Sequence, residues 1–150
     1  MPDSTTQVIF KGEGSVQFTC YDPYAYSTTT TEQTYTAPAT YNPATISVGG
    51  TAPTPFKVVS TDGLSANTTI SIQDNSNNIL YSITLKEACN GGNFEWNSAT
   101  GMVKGTVDNV TRPLKYIGNG MGNLEVDCIP RIVTTAPQGT FNLSFYNRYI

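Results

Sequence analysis

Phe141-Asn142-Leu143-Ser144-Phe145 alternates apolar and polar residues one by one, and this period of two recurs along most of the chain. Val16, Phe18 and Cys20 point one way while Ser15, Gln17 and Thr19 point the other. The same pattern appears at Ile70/Ile72, at Ile79/Tyr81/Ile83/Leu85 and at Leu124/Val126/Cys128. Each run carries one apolar face and one face of hydroxyls and amides, the pattern of an antiparallel sheet with one side in water. No window carries an apolar stripe at helical spacing. The best helical scrap, "LKEAC" at Leu85, is too short to stand alone. An all-β chain is the consequence.

Turn signals separate the runs: "TDGLS" at Thr61, "DNSNN" at Asp74, "NGGN" at Asn90, "SATGM" at Ser98 and "GNGMGN" at Gly118. Short strands between such turns predict two antiparallel sheets with about ten strands, packed as a sandwich. At 150 residues the chain is one domain, 1–150, large enough for a single core. One stretch breaks the rhythm. Residues 27–43, "STTTTEQTYTAPATYNP", are Thr- and Pro-rich and read as a long surface excursion with room for an edge strand.

The composition removes most chemistries. Charged residues are 13% of the chain, about half the usual share, so the polar surface comes from Thr, Ser, Asn and Gln. There is no histidine, which excludes Ser-His-Asp and Cys-His catalysis and histidine-ligated zinc. A net charge of −3 with eight scattered Lys and Arg leaves no basic stripe for nucleic acid. No stretch approaches the ~20 apolar residues that cross a bilayer, and "MPDSTTQVIF" has neither the basic nor the apolar part of a signal peptide. Cys20, Cys89 and Cys128 form an odd set with no C-x-x-C pair. Cys20 and Cys128, each on the apolar phase of a strand pattern, read as small core residues, and the set suits a reduced intracellular setting, not a disulfide framework.

The remaining candidate sites are few. "GNGMGN" at Gly118–Asn123 has the look of a phosphate loop, but Leu124 opens a strand instead of a helix, so a hairpin turn is expected. Glu87 with Glu95, or Asp108 with Asp127, would be needed as a carboxylate pair for catalysis, and nothing in their spacing brings them together. Asp74 in "QDNSNN" is too thinly supported by oxygen ligands for calcium. No metal and no cofactor are expected. Trp96, the only tryptophan, has two readings. Exposed, it would stack on a sugar ring while Asn93 and Asn97 bond the hydroxyls; buried, it fills the core with Phe94, and Glu95 faces the other way. The sequons at Asn67, Asn109 and Asn142 carry no weight in a chain this rich in Asn and Thr.

Asp22-Pro23 opens a turn, because proline fixes φ and the carboxylate can accept from the following amides. Tyr21, Tyr24 and Tyr26 surround that corner with amphipathic rings suited to a core rim or a subunit contact.

Here the residues also resemble a known family. "GEGSVQFTCYDPYAYS" (Gly12–Ser27) is similar to the strand and corner that open the C-terminal domain of siphophage distal tail proteins. "SVGGTAPTPFKVV" (Ser47–Val59) resembles the family's Asn-Gly-Thr segment leading into a strand, with Gly49-Gly50 where Asn-Gly is commoner. "NFEWNSATGMVKG" (Asn93–Gly105) resembles its strand-turn-strand, with Trp96-Asn97 in place of the usual Ile-Asp. The terminal "LSFYNRYI" is similar to its aromatic last strand, which ends near an Arg-Tyr pair. The segments follow the family's order over nearly the whole chain.

The resemblance implies a galectin-like, jelly-roll β-sandwich at the tip of a phage tail, assembled in the bacterial cytoplasm and carried in the virion. In the family an N-terminal domain builds a hexameric ring and the C-terminal sandwich faces outward, in some phages docking receptor-binding proteins. This chain then corresponds to an excised C-terminal domain or a separate short protein, and hexamerisation is not carried over. The expected role is non-enzymatic: a docking platform for tail or baseplate proteins through Tyr21, Asp22, Pro23, Tyr24 and Tyr26. The rival reading is a carbohydrate-binding module that holds host cell-wall saccharide through Trp96, Asn93 and Asn97. Neither requires nucleic acid or membrane insertion.

Overall fold

The computed structural model describes residues 15, 17, 19, 22–38 and 46–150. The expected strand through Val16, Phe18 and Cys20 lies outside the described residues, as does Tyr21. Thirteen strands and no helix form among those described. Numbered in chain order, the largest sheet holds β2 (Thr31–Ala37), β3 (Thr54–Ser60), β6 (Asn90–Asn97), β7 (Met102–Val107), β8 (Val110–Pro113), β10 (Asn123–Leu124) and β12 (Gly139–Phe145). Its order is β2-β12-β3-β6-β7-β8, with β10 paired to β3. The second sheet runs β11 (Arg131–Thr134), β4 (Thr69–Gln73), β5 (Ile79–Leu85), β9 (Tyr116–Asn119). A two-stranded ribbon joins β1 (Ala25–Tyr26) to β13 (Arg148–Tyr149). Every strand pairing is antiparallel. The fold is the expected all-β, antiparallel sandwich.

The alternation decides which side chains meet. Phe141, Leu143 and Phe145 of β12, Phe56 and Val58 of β3, and Phe94 and Trp96 of β6 turn inward. Ile70, Ile72, Ile83, Leu85 and Ile132 of the second sheet face them, and all belong to one buried cluster. Each such side chain contributes about 1.5–3 kcal/mol by leaving water. Phe56 bridges the sheets, edge-on to Trp96 at 5.1 Å and tilted against Tyr81 of β5 at 5.4 Å.

The excursion contains an edge strand with a buried side. Within β2, Tyr35 and Ala37 are buried, and the Tyr35 hydroxyl donates to the Pro130 carbonyl at 3.1 Å. Burial pushes that phenol up to about 12. Residues 39–45 lie outside the described range.

Three local readings are corrected. "NGGN" is no turn between strands. It is a bulge inside β6, where the register jumps from Asn90↔Thr106 to Glu95↔Lys104 and Gly92 and Asn93 take φ of 102° and 72°. "GNGMGN" is no hairpin either, because β9 pairs in one sheet and β10 in the other, so the glycines carry the chain across the sandwich. Ile79 is exposed: a bulge sets Ile72 opposite Tyr81 but Gln73 opposite Ile79, shifting the phase by one residue. "LKEAC", too short to stand alone as a helix, forms none. Leu85 ends β5, and Cys89 is buried and bridges to Leu64. Cys89 and the half-buried Cys128 are free thiols; Cys20 lies outside the described residues.

Glu87 and Glu95, the first of the candidate carboxylate pairs, are each tied to cations. Glu95 stands between Lys57 and Lys104 at 3.8 and 3.7 Å. Glu87 accepts from both terminal nitrogens of Arg112, at 3.0 and 2.7 Å, and from the Lys115 amide at 2.8 Å. Arg112's hydrogen bonds and that amide hold the Glu87 carboxyl down from 4.5 to about 2. A carboxyl depressed in the folded state adds stability that is present above its unfolded pKa and lost as pH falls toward the folded one. The stability gap between the parent and Glu87→Gln is therefore expected to be constant above pH 4.5 and to close between there and about 2. Urea midpoints measured across that range check it, and a gap independent of pH contradicts it.

A candidate docking corner

Asp22 begins the corner as its sequence suggests. Its Oδ1 accepts the Tyr24 amide at 3.1 Å and its Oδ2 the Tyr26 hydroxyl at 2.6 Å, so the chain turns tightly around Pro23. Tyr26 then pairs with Arg148 and Ala25 with Tyr149, which brings β13 beside β1.

Arg148 organises the rest. Its guanidinium lies 3.9 Å from the centroid of the Tyr24 ring and 5.4 Å from that of Tyr26, with Nη2 3.8 Å from Asp22 Oδ1. Such a cation over an aromatic face adds about 0.5–1 kcal/mol at an exposed site and more where water is excluded. Nη1 donates to the Pro53 carbonyl at 3.2 Å. The Arg148 carbonyl accepts the amides of Thr51 and Ala52 at 2.9 and 3.2 Å. Asn147 extends the junction: its Oδ1 accepts the Gly49 amide, and its backbone exchanges hydrogen bonds with Ser27. Three segments distant in sequence, around residues 22–27, 49–54 and 146–150, therefore close on one another.

The electrostatics follow. Tyr26's hydroxyl bond, the Tyr24 amide and Arg148's charge hold the Asp22 carboxyl below its ordinary range. The same hydroxyl bond raises the Tyr26 phenol, because ionising it would lose the bond beside a carboxylate. Tyr26 is 44% exposed, with Tyr146, Tyr149 and Ile150 also open to solvent at this end of the sandwich. Tyr and Arg are the side chains that most often anchor protein interfaces.

Of the expected corner residues, Asp22, Pro23, Tyr24 and Tyr26 come together, and Tyr21 lies outside the described residues. Arg148 was missed; its signal was the Arg-Tyr pair in "LSFYNRYI". The other expected set does not assemble. Trp96 is 0% exposed, and its indole N–H donates to the Gly120 carbonyl at 2.7 Å, so no face of the ring is open to a sugar. Asn93 sits exposed in the bulge, while Asn97 ends β6 with its Oδ1 accepting the Ala99 amide. Trp96 is a core residue, and the saccharide site drawn through it is withdrawn.

Asp74 also serves its own turn, accepting the amides of Ser76 and Asn78 and the Asn78 side chain. Among the described residues no group of three or more Cys, Asp or Glu is placed to hold a metal, and no helix is long and apolar enough to cross a membrane.

No protein-family model matches the chain, and no curated protein matches it. Among solved structures it is similar to the Dit protein (gp 19.1) of SPP1, described as a paradigm of the hub adsorption apparatus in phages infecting Gram-positive bacteria. The two are 15% identical with a TM-score of 0.49, and the likeness covers 87% of this chain and 51% of that one. This chain thus spans about half the length of that protein.

Proposed function

We propose that the chain is a non-enzymatic structural domain of a phage tail tip, a galectin-like sandwich whose tyrosine–arginine corner docks on a neighbouring tail or baseplate protein. One observation carries the reading. The described parts of three of the four segments that resemble siphophage distal tail proteins, "DPYAYS", "SVGGTAP" and "FYNRYI", meet physically at Arg148. Residues kept together across 120 positions of chain by hydrogen bonds and ring stacking form a unit of structure, not scattered coincidences of composition. The absence of histidine and the cationic partners of Glu87 and Glu95 support a role without catalysis.

Assembly of such a domain takes place in the bacterial cytoplasm, and its final place is the virion. Immunogold electron microscopy of purified virions, with antibody against the folded domain, tests this. Label confined to the tail tip is expected. Label on the capsid or along the tube, or virions without the protein, would remove the proposal.

A further inference from the structure

The outward face of the large sheet carries a row set by register alone. Glu32 of β2 lies opposite Ser144 of β12, Ser144 opposite Lys57 of β3, and Lys57 opposite Asn97 of β6. Directly opposed residues share a face, so these four side chains line up across adjacent strands over roughly 14 Å, at about 4.8 Å per strand. Ser144 is the smallest of them and leaves a hollow between Glu32 and Lys57. The Tyr26 and Tyr146 rings, 44% and 47% exposed, close one end, and the trough so formed has a volume of about 340 Å³.

We infer that this trough is a binding site for a pyranose ring. The row presents an acceptor-only carboxylate, a hydroxyl, a donor-only ammonium and an amide. Glu32 and Lys57, together with the Glu95 that also pairs with Lys57 and the Lys104 beside it, leave this face without net charge, which disfavours an anion or a cation as the occupant, and the ionised groups of the row disfavour a lipid chain. A neutral ring bearing several hydroxyls, each both donor and acceptor, matches the Glu32 carboxylate, the Ser144 hydroxyl, the Lys57 ammonium and the side-chain NH2 of Asn97, whose Oδ1 is held by the Ala99 amide. The C–H face of such a ring is apolar and suits the two open tyrosines. Asn97 thus has a place in a saccharide site, but one on the opposite face of β6 from Trp96 and well removed from Asn93. Tyr26 belongs to both the corner and the trough, but Glu32, Ser144 and the Tyr146 ring take no part in the hydrogen bonds around Asp22 and Arg148, so variants at these three positions test the trough apart from the docking reading.

Saturation-transfer difference NMR on the full chain tests it. The probes are methyl α-D-glucopyranoside, methyl β-D-galactopyranoside, N-acetylglucosamine and, as a polymer, dextran. Transfer to at least one probe is expected. It should fall at least fivefold in Tyr146→Ala, which removes a wall, and in Ser144→Phe, which fills the hollow. Glu32→Gln, which keeps the shape, should weaken binding about tenfold by removing a charged acceptor. Tyr146 is exposed, so its alanine variant keeps the test open if Ser144→Phe disturbs the sheet; amide spectra report folding of each variant. No transfer to any of the four probes, or transfer unchanged in folded Tyr146→Ala, overturns the site.

Discussion

Trp96→Ala is expected to lower folding stability by about 3–5 kcal/mol, the range for deleting a large aromatic from a packed core. The ring is wholly buried, packs edge-on against Phe56, and is joined by its N–H to the Gly120 carbonyl. Alanine therefore opens a cavity between β6 and the glycine-rich crossing and leaves a buried carbonyl without its donor. A loss of that size is a large part of the 5–15 kcal/mol that holds an ordinary domain. Trp96→Phe separates the two contributions, because it keeps most of the volume and removes only the donor, at about 1–3 kcal/mol. With m near 2 kcal/mol/M in urea, the alanine variant should unfold at a midpoint roughly 2 M below the parent. Circular dichroism is the probe, since both variants lose the only tryptophan. A Trp96→Ala midpoint within about 0.5 M of the parent would mean that the ring is not packed in the core at all.

Trp96 also illustrates how much of this fold was legible in advance. The alternation Phe94-Glu95-Trp96 put the two rings on one side and the carboxylate on the other, and they are found so. Phe141, Leu143 and Phe145 were as plain, because a half-buried strand repeats every two residues without ambiguity. The local failures share a physical cause. Glycine and asparagine mark a positive φ, but a hairpin and a bulge both need one, so "NGGN" reads the same in either. "GNGMGN" announced a reversal without saying into which sheet the next strand would go, because pairing partners are chosen by tertiary packing. One extra residue, Leu80, was enough to put Ile79 outside. The corner was half legible. Asp22-Pro23 encodes its own turn, whereas the Arg148 that stacks on Tyr24 is placed by β1–β13 pairing, which no local pattern can express.

Gly50→Ala should take that corner apart while leaving the sandwich folded. Gly50 has φ of +88°, where a residue with a side chain pays about 1–2 kcal/mol. A methyl group there would come within 2.2 Å of the Arg148 carbonyl oxygen, an atom fixed by the Thr51 and Ala52 amides. Backbone cannot step aside as a flexible side chain would, so those two hydrogen bonds must break, at about 0.5–1.5 kcal/mol each. The sum, roughly 2–5 kcal/mol, falls on a junction of two-residue strands instead of on the core. Undocking the junction is then easier than unfolding the domain, and local opening limits the global loss.

The corner carries its own reporter. In the parent, the Tyr26 phenol is raised because it donates to Asp22 and would ionise beside that carboxylate. When the Gly50 variant releases Arg148 and β13 from β1, the Asp22–Tyr26 bond loses its frame, and Tyr26 should ionise at a lower pH than in the parent. Asp22→Asn should move it the same way by removing the carboxylate, with Gly50 untouched. Site-specific NMR titration of Tyr26 resolves it from the other eight tyrosines. If Tyr26 titrates alike in parent and Gly50→Ala while shifting in Asp22→Asn, the turn around Pro23 holds itself and Arg148 merely rests on it. A shift in both variants makes Gly50 the strap that lets segments 120 residues apart act as one surface.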